Sequence, residues 1–210
     1  MPRTWGVYLV TDRTQTAGRP LLDVVAAALD GGIRAVQLRE RDLPTRELLR
    51  IAEQLRALTR RYDAALLIND RIDVALACDA DGVHLPAASF SVADARTLLG
   101  APRLIGVSLH APGELAAAVG ADFAVLGPIY ETPSKQAYGA PLSIGALKAA
   151  RAVTQMPIFA IGGVDAGRVA EVRAAGADGV TVIRAVLAAA DPERAARELV
   201  LTTKTPRHQD

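Results

Sequence analysis

The chain has 210 residues, half of them hydrophobic, and its 24 basic and 23 acidic residues leave a net charge of +1. That balance excludes a dedicated nucleic-acid or anionic-membrane surface, and the single cysteine, Cys78, excludes an internal disulfide or a cysteine-based metal cluster. No apolar run approaches the roughly 18 residues of a membrane span and no charged-then-apolar signal segment opens the chain, so a soluble cytoplasmic protein is expected.

Short apolar runs between turn residues predict the first two strands at Gly6–Thr11 and Ala35–Arg39. Pro44–Arg61 follows as the clearest helix, with Leu48, Leu49, Ile51, Ala52 and Leu55 on one stripe and Arg or Glu opposite. Further strands are predicted at Ala65–Asn69, Gly82–Leu85, Leu104–Ser108 and Phe123–Gly127. Pro128–Leu142, rich in Pro, Gly, Ser and Thr, is long for a connection in a compact domain and is expected to be a lid or binding loop. The last strands are expected at Ile158–Gly162 and Gly179–Ile183, each followed by a helix, Asp165–Ala175 and Asp191–Leu201. Both helices begin with Asp in cap position, and Pro192 occupies the first turn of the second. The polar, aperiodic stretch Thr202–Asp210 is expected to fray.

One phrase occurs four times: Leu29–Leu38, Ala77–Leu85, Ala118–Leu126 and Ala174–Val182. Each copy runs from a small-residue helix end, through a turn residue that tolerates left-handed backbone, into a buried strand. The copies recur at roughly twice the length of one βα unit. A βα unit repeated in this way predicts a single (β/α)8 TIM barrel over residues 1–201, with its chemistry at the C-terminal ends of the strands. Helices of this kind fit a monomer or a homodimer equally well.

The predicted strand ends collect chemistry-bearing side chains. The second strand ends in Gln37, Arg39 and Arg41, which alternation places on one side. The third ends in Asn69 and Asp70, the fourth in His84 followed by Pro86-Ala-Ala-Ser89, the fifth in Ser108 and His110. The long loop carries Thr132, Ser134 and Lys135; Gly162-Gly163 and Ile183-Arg184 close the last two strands. A Gly-Gly turn after the seventh strand with the turn after the eighth is where this fold binds phosphate, although a plain tight turn reads the same way. Two arginines and a lysine at one mouth suit a diphosphate; alternatively Arg39 and Arg41 pair with Glu40 or Asp42 on the surface. Asp70 either binds Mg2+ on that diphosphate or caps the helix at Arg71–Cys78. His84 and His110 read as structural hydrogen-bonders, and Tyr130 and Tyr138 either stack on a flat ring or pack under the loop.

With these residues in view, the chain resembles the thiamine phosphate synthase and thiazole tautomerase family over residues 6–200. The resemblance rests on Tyr8-Leu-Val-Thr-Asp12, Val36-Gln-Leu-Arg-Glu40, Leu67-Ile-Asn-Asp70, Gly82-Val-His-Leu85, Ile105-Gly-Val-Ser108, Gly127-Pro-Ile-Tyr130, Thr132-Pro-Ser-Lys135 and Ala160-Ile-Gly-Gly163. It implies a transferase that joins hydroxymethylpyrimidine diphosphate to thiazole phosphate and releases diphosphate, with small molecules as its partners. On this resemblance Gln37, Arg39, Arg41, Asn69, Ser108 and Lys135 hold the pyrimidine diphosphate, with Arg39, Lys135 and Ser108 acting on the leaving group. Thr132, Ser134, Gly162, Gly163, Ile183 and Arg184 surround the thiazole phosphate. Asp70 is the implied Mg2+ ligand, and Ser89 stands where the family places a second carboxylate.

The chain departs from the family's synthase pattern at Pro86-Ala87-Ala88-Ser89, where Gly-Gln-Glu-Asp is usual, and at Arg41, usually Lys. Pro128 occupies the place of the tautomerase's catalytic histidine, which favours the synthase. A non-catalytic thiazole-phosphate-binding paralogue is the alternative from another class. A sugar-phosphate isomerase or epimerase is disfavoured by the lack of placed acid–base pairs.

Overall fold

The computed structural model describes residues 2–132 and 140–204. Eight parallel strands close in sequence order into a barrel: β1 (Val7–Val10), β2 (Ala35–Leu38), β3 (Ala65–Asn69), β4 (Gly82–Leu85), β5 (Leu104–Leu109), β6 (Phe123–Leu126), β7 (Ile158–Ile161) and β8 (Gly179–Val182). Around it lie α1 (Leu21–Asp30), α2 (Thr45–Arg61), α3 (Ile72–Ala77), α4 (Val92–Leu99), α5 (Ser143–Val153), α6 (Val169–Ala174), α7 (Arg184–Leu187) and α8 (Pro192–Lys204). The (β/α)8 expectation is met, with one local exception. The β5–β6 crossover is a 3-10 helix, Pro112–Ala118, instead of an α-helix.

The helices obey their stripes: α2 buries Leu48, Ala52, Leu55 and Thr59 against the barrel and turns its arginines outward. Helix α8 runs past the expected limit at Leu201, because Thr203 is buried and returns its hydroxyl to the Val200 carbonyl at 2.9 Å. Thr202, Thr203 and Lys204 are therefore helical, and the remainder of the expected frayed tail, 205–210, lies outside the described residues. Helix α6 is shorter than the expected Asp165–Ala175, since Asp165 caps the preceding turn by accepting from the Arg168 N–H at 3.1 Å.

Two apolar layers hold the barrel together. The outer one, between strands and helices, is built from Val, Leu, Ile and Ala; the lumen is aromatic, with Trp5, Tyr8, Phe123 and Phe159 packed beside Ala35, Leu67 and Val125. Trp5 stacks on Tyr8 at 5.8 Å between centroids and meets Phe123 edge-on at 5.4 Å, the geometries ring quadrupoles favour. Glycines on neighbouring strands make the room. A Cβ on Gly106 would lie 2.3 Å from the Phe123 ring, and one on Gly179 would lie 2.6 Å from Phe159.

The repeated phrase performs two tasks. Its turn residue has positive φ in every copy, at Gly32, Asp79, Gly120 and Gly176. Two residues later, three copies place an aspartate that latches the even-numbered strand to the strand before it. Asp81 N–H donates to Leu66 O at 2.9 Å while Leu66 N–H donates to the Asp81 carboxylate at 2.7 Å. Asp122 exchanges the same two bonds with Ile105, and Asp178 with Ile158. Arg56, Arg96 and Arg151, each from the helix before the odd-numbered strand, neutralise the three carboxylates at 2.7, 2.7 and 3.0 Å. In the first copy Arg34 stands in the aspartate's place and donates to the Leu29 and Ile33 carbonyls at the end of α1.

Candidate active site

At the C-terminal end of the barrel, β2 delivers its side chains in alternation. Gln37 is buried and donates from Nε2 to the Tyr8 hydroxyl at 3.0 Å, which orients the amide. Burial holds that hydroxyl protonated by pushing its pKa far above the usual phenol range. Arg39 is half-buried, its backbone N–H fixed to Thr11 Oγ1 at 2.9 Å, and Arg41 is exposed. Glu40 faces the other way, is buried, and accepts from both the backbone N–H and the guanidinium of Arg13 at 3.1 Å. Arg13 also grips Asp42 with two bonds of 2.6 Å. Glu40 and Asp42, the carboxylates nearest in sequence to Arg39 and Arg41, are thus held by Arg13, whose clamp locks the loop after β1 to the loop after β2.

His84, on β4, lies inside the lumen between Tyr8 and Phe123, with Nε2 at 2.9 Å from Ser108 Oγ on β5. Complete burial, reinforced by the Arg39 charge, pushes its pKa down to about 3, so it is neutral at physiological pH. Because the unfolded chain takes up this proton below about pH 6.5 while the folded protein excludes it, His84 stabilises the fold fully above that pH and progressively less toward pH 3. Between pH 7.5 and 5 the loss should reach about 2 kcal/mol, and His84→Gln should remove that part of the pH dependence. Denaturant unfolding of both proteins at the two pH values measures it; identical pH slopes would overturn the assignment. His110 is exposed and its backbone N–H donates to Glu114 at 2.7 Å.

Asn69 and Asp70 end β3, both half-buried. Asp70 has φ +64°, donates its N–H to the His84 carbonyl at 2.9 Å, and accepts a hydrogen bond from the Ser89 hydroxyl. It does not cap α3, whose N-cap, Arg71, has no side-chain cap bond. The carboxylate is held instead beside Ser89, across the β4 loop. At the far side of the mouth Gly162 and Gly163 have φ of +96° and +66°. The N–H groups of Gly163 and Val164 donate to none of the described residues, so they are available to an anion. Ile183 is half-buried, Arg184 is exposed at the first position of α7, and Thr132 is half-buried. Ser134, Lys135 and Tyr138 lie outside the described residues.

The sequence model described as thiamine monophosphate synthase matches residues 7–186. The chain belongs to the thiamine monophosphate synthase family. A curated relative in Geobacter sulfurreducens is 53% identical over 98% of this chain and 97% of its own length. The thiamine-phosphate synthase of Moorella thermoacetica is 44% identical over 95% of each chain. The solved thiamine phosphate pyrophosphorylase from Pyrococcus furiosus superposes with a TM-score of 0.87 at 35% identity, covering 97% of each chain. A 3-hexulose-6-phosphate synthase, 20% identical with a TM-score of 0.66, shares the fold alone.

Within this synthase-family barrel the described residues expected at the site all come from the C-terminal ends of the strands or the loops that follow them, and Asp70 meets Ser89 directly. The residues that sequence reasoning missed are the ones that hold others in place: Thr11, Arg13 and Arg168. Arg13 carried one legible signal, an arginine directly after a strand-ending aspartate; Arg168 carried none. Two clefts of about 390 and 580 Å3 open at the opposite end of the barrel, around Trp5 and Arg34. Their arginines already serve the strand latches and helix ends, so they do not compete with the mouth as a candidate site. Among the described residues, no helix is long and apolar enough to cross a membrane.

Proposed function

We propose that this chain acts as a thiamine-phosphate synthase, joining hydroxymethylpyrimidine diphosphate to thiazole phosphate with release of diphosphate. The observation that carries the reading is the character of the mouth: it presents hydrogen-bond donors and cations on adjacent strands, and its buried histidine is neutral. Such a site stabilises departing negative charge and performs little acid–base work. In the reaction the methylene C–O bond breaks with its electron pair leaving on diphosphate, and the thiazole nitrogen lone pair then forms the C–N bond. Arg39 and Ser108 are assigned to the leaving diphosphate, and Lys135 to the same charge, by family resemblance. Gln37, oriented by Tyr8, faces the pyrimidine ring, with Asn69 beside it. The amides of Gly163 and Val164, which donate to none of the described residues, form with Ile183 and Arg184 the place for the thiazole phosphate.

Mg2+ commonly binds through one or two carboxylates together with phosphate oxygens and water. Asp70 supplies one carboxylate, Ser89 can add a neutral oxygen, and among the described residues no group of three or more His, Cys, Asp or Glu gathers elsewhere for a metal. The residues therefore fit an ion that arrives with the diphosphate, where it would neutralise the leaving group. A cytoplasmic location, consistent with phosphorylated substrates, belongs to the same proposal.

Mixing both substrates with Mg2+ and following diphosphate release tests the reading. Turnover to thiamine phosphate is expected; binding without turnover, or proton exchange on a thiazole carboxylate instead, would overturn it. Ser89→Asp should lower the Mg2+ concentration needed for half-maximal activity. It should also tighten Mn2+ binding measured by electron paramagnetic resonance in the presence of inorganic diphosphate. An unchanged midpoint and unchanged Mn2+ binding would remove Ser89 from the metal site.

A further inference from the structure

We propose that Arg168 is a positioning residue for the anion-binding loop Gly162-Gly163, a role that rests on the assignment of the thiazole phosphate to that loop. Both carbonyls of the loop are held by hydrogen bonds. Gly162 O accepts from Tyr130 N–H at 3.1 Å, and Gly163 O accepts from the Arg168 guanidinium at 2.6 Å. A trans peptide is planar, with its C=O and N–H pointing in opposite directions. Fixing these two carbonyls toward Tyr130 and Arg168 therefore turns the N–H groups of Gly163 and Val164 the other way, where neither finds an acceptor among the described residues.

Arg168 does not hold the loop alone. Its guanidinium carbon sits 4.4 Å from the Tyr130 ring centroid, and the Tyr130 hydroxyl donates to Glu171 at 2.5 Å, one turn further along α6. The backbone N–H of Arg168 is itself anchored to Asp165 at 3.1 Å. Stacking on Tyr130 and the backbone anchor hold the guanidinium beside the Gly163 carbonyl. The approach is so close that a Cβ on Gly163 would lie 2.8 Å from Tyr130 Cβ and 2.9 Å from Glu131 O, so only glycine fits here. Arg168 thus ties the base of the loop after β6 to the anion loop after β7. Its positive charge lies behind the amides, where it adds to their attraction for a phosphate.

The test is calorimetric binding and steady-state kinetics on wild type, Arg168→Met and Arg168→Lys. Arg168→Met should raise both the Kd and the KM for thiazole phosphate about tenfold or more, as expected when aligned donors lose their orientation. The KM for the pyrimidine diphosphate should stay within about twofold, since that substrate is held by other strands. Arg168→Lys, which can still donate to Gly163 O but cannot stack as a plane, should fall between the two. A merely structural role would lower the melting temperature or change both substrates' KM values alike, without separating them. Thiazole phosphate affinity unchanged in both variants, with native circular dichroism, would overturn the positioning role while leaving the site assignment standing. A wild-type protein that binds inorganic phosphate but no thiazole phosphate would instead overturn the substrate assignment, and the proposal with it.

Discussion

Replacing Arg39 with alanine is expected to lower kcat/KM about 100- to 1,000-fold, the loss typical when one fixed donor to a developing anion is removed. Arg39 is suited to that role by its setting. Its backbone N–H is pinned to Thr11, and its charge reaches both His84 and Asp12 at the barrel mouth. The neighbouring carboxylates Glu40 and Asp42 are both gripped by Arg13. The side chain is only half-buried and ends outside the apolar lumen, so the variant should fold with an unchanged melting curve. His84→Gln in the same assay should keep at least about a tenth of the activity, a cost under about 1.4 kcal/mol, because a neutral buried imidazole is not moving protons. Should Arg39→Ala stay within about threefold of wild type while the His84 variant is inactive, the dissociative reading gives way to acid–base chemistry.

The largest effect on stability is expected at Asp178. Asp178→Ala removes the acceptor for the buried Ile158 N–H and leaves Arg151, only 20% exposed, without that carboxylate. Removing one partner of a buried ion pair usually costs about 3–5 kcal/mol. For a domain of this size that corresponds to a melting temperature lower by roughly 6–20 °C. Asp178→Asn keeps an oxygen for Ile158 and should lose less. A double-mutant cycle with Arg151→Met would apportion the rest; a shift below about 2 °C for Asp178→Ala would show that the latch contributes little.

The amino-acid sequence by itself determined the architecture and which residues stand at the C-terminal ends of the strands. Apolar runs, cap residues and the repeated helix-end phrase are local signals, each complete within about ten residues. That is why the eight strands lie within a residue or two of expectation and why the strand ends could be listed in advance as the place to look. The family motifs were legible for the same reason, being short runs around those ends.

Only the tertiary structure decided which side chain answers which. Arg13 takes Glu40 from 27 residues away, Tyr130 reaches Glu171 across 41, and Arg151 meets Asp178 across 27. The Asp of the repeated phrase read as part of a turn, yet in the barrel it crosses to the preceding strand and draws an arginine from a helix that carries no repeat. Tyr130, read either as a platform for a flat ring or as packing under its loop, has the Arg168 guanidinium over its ring. Asp70, which could equally have capped its own helix, is held by Ser89 on the next loop. Charged groups choose partners by distance and by what desolvation leaves available, and both are set only when the barrel closes and brings distant strand ends within hydrogen-bond reach.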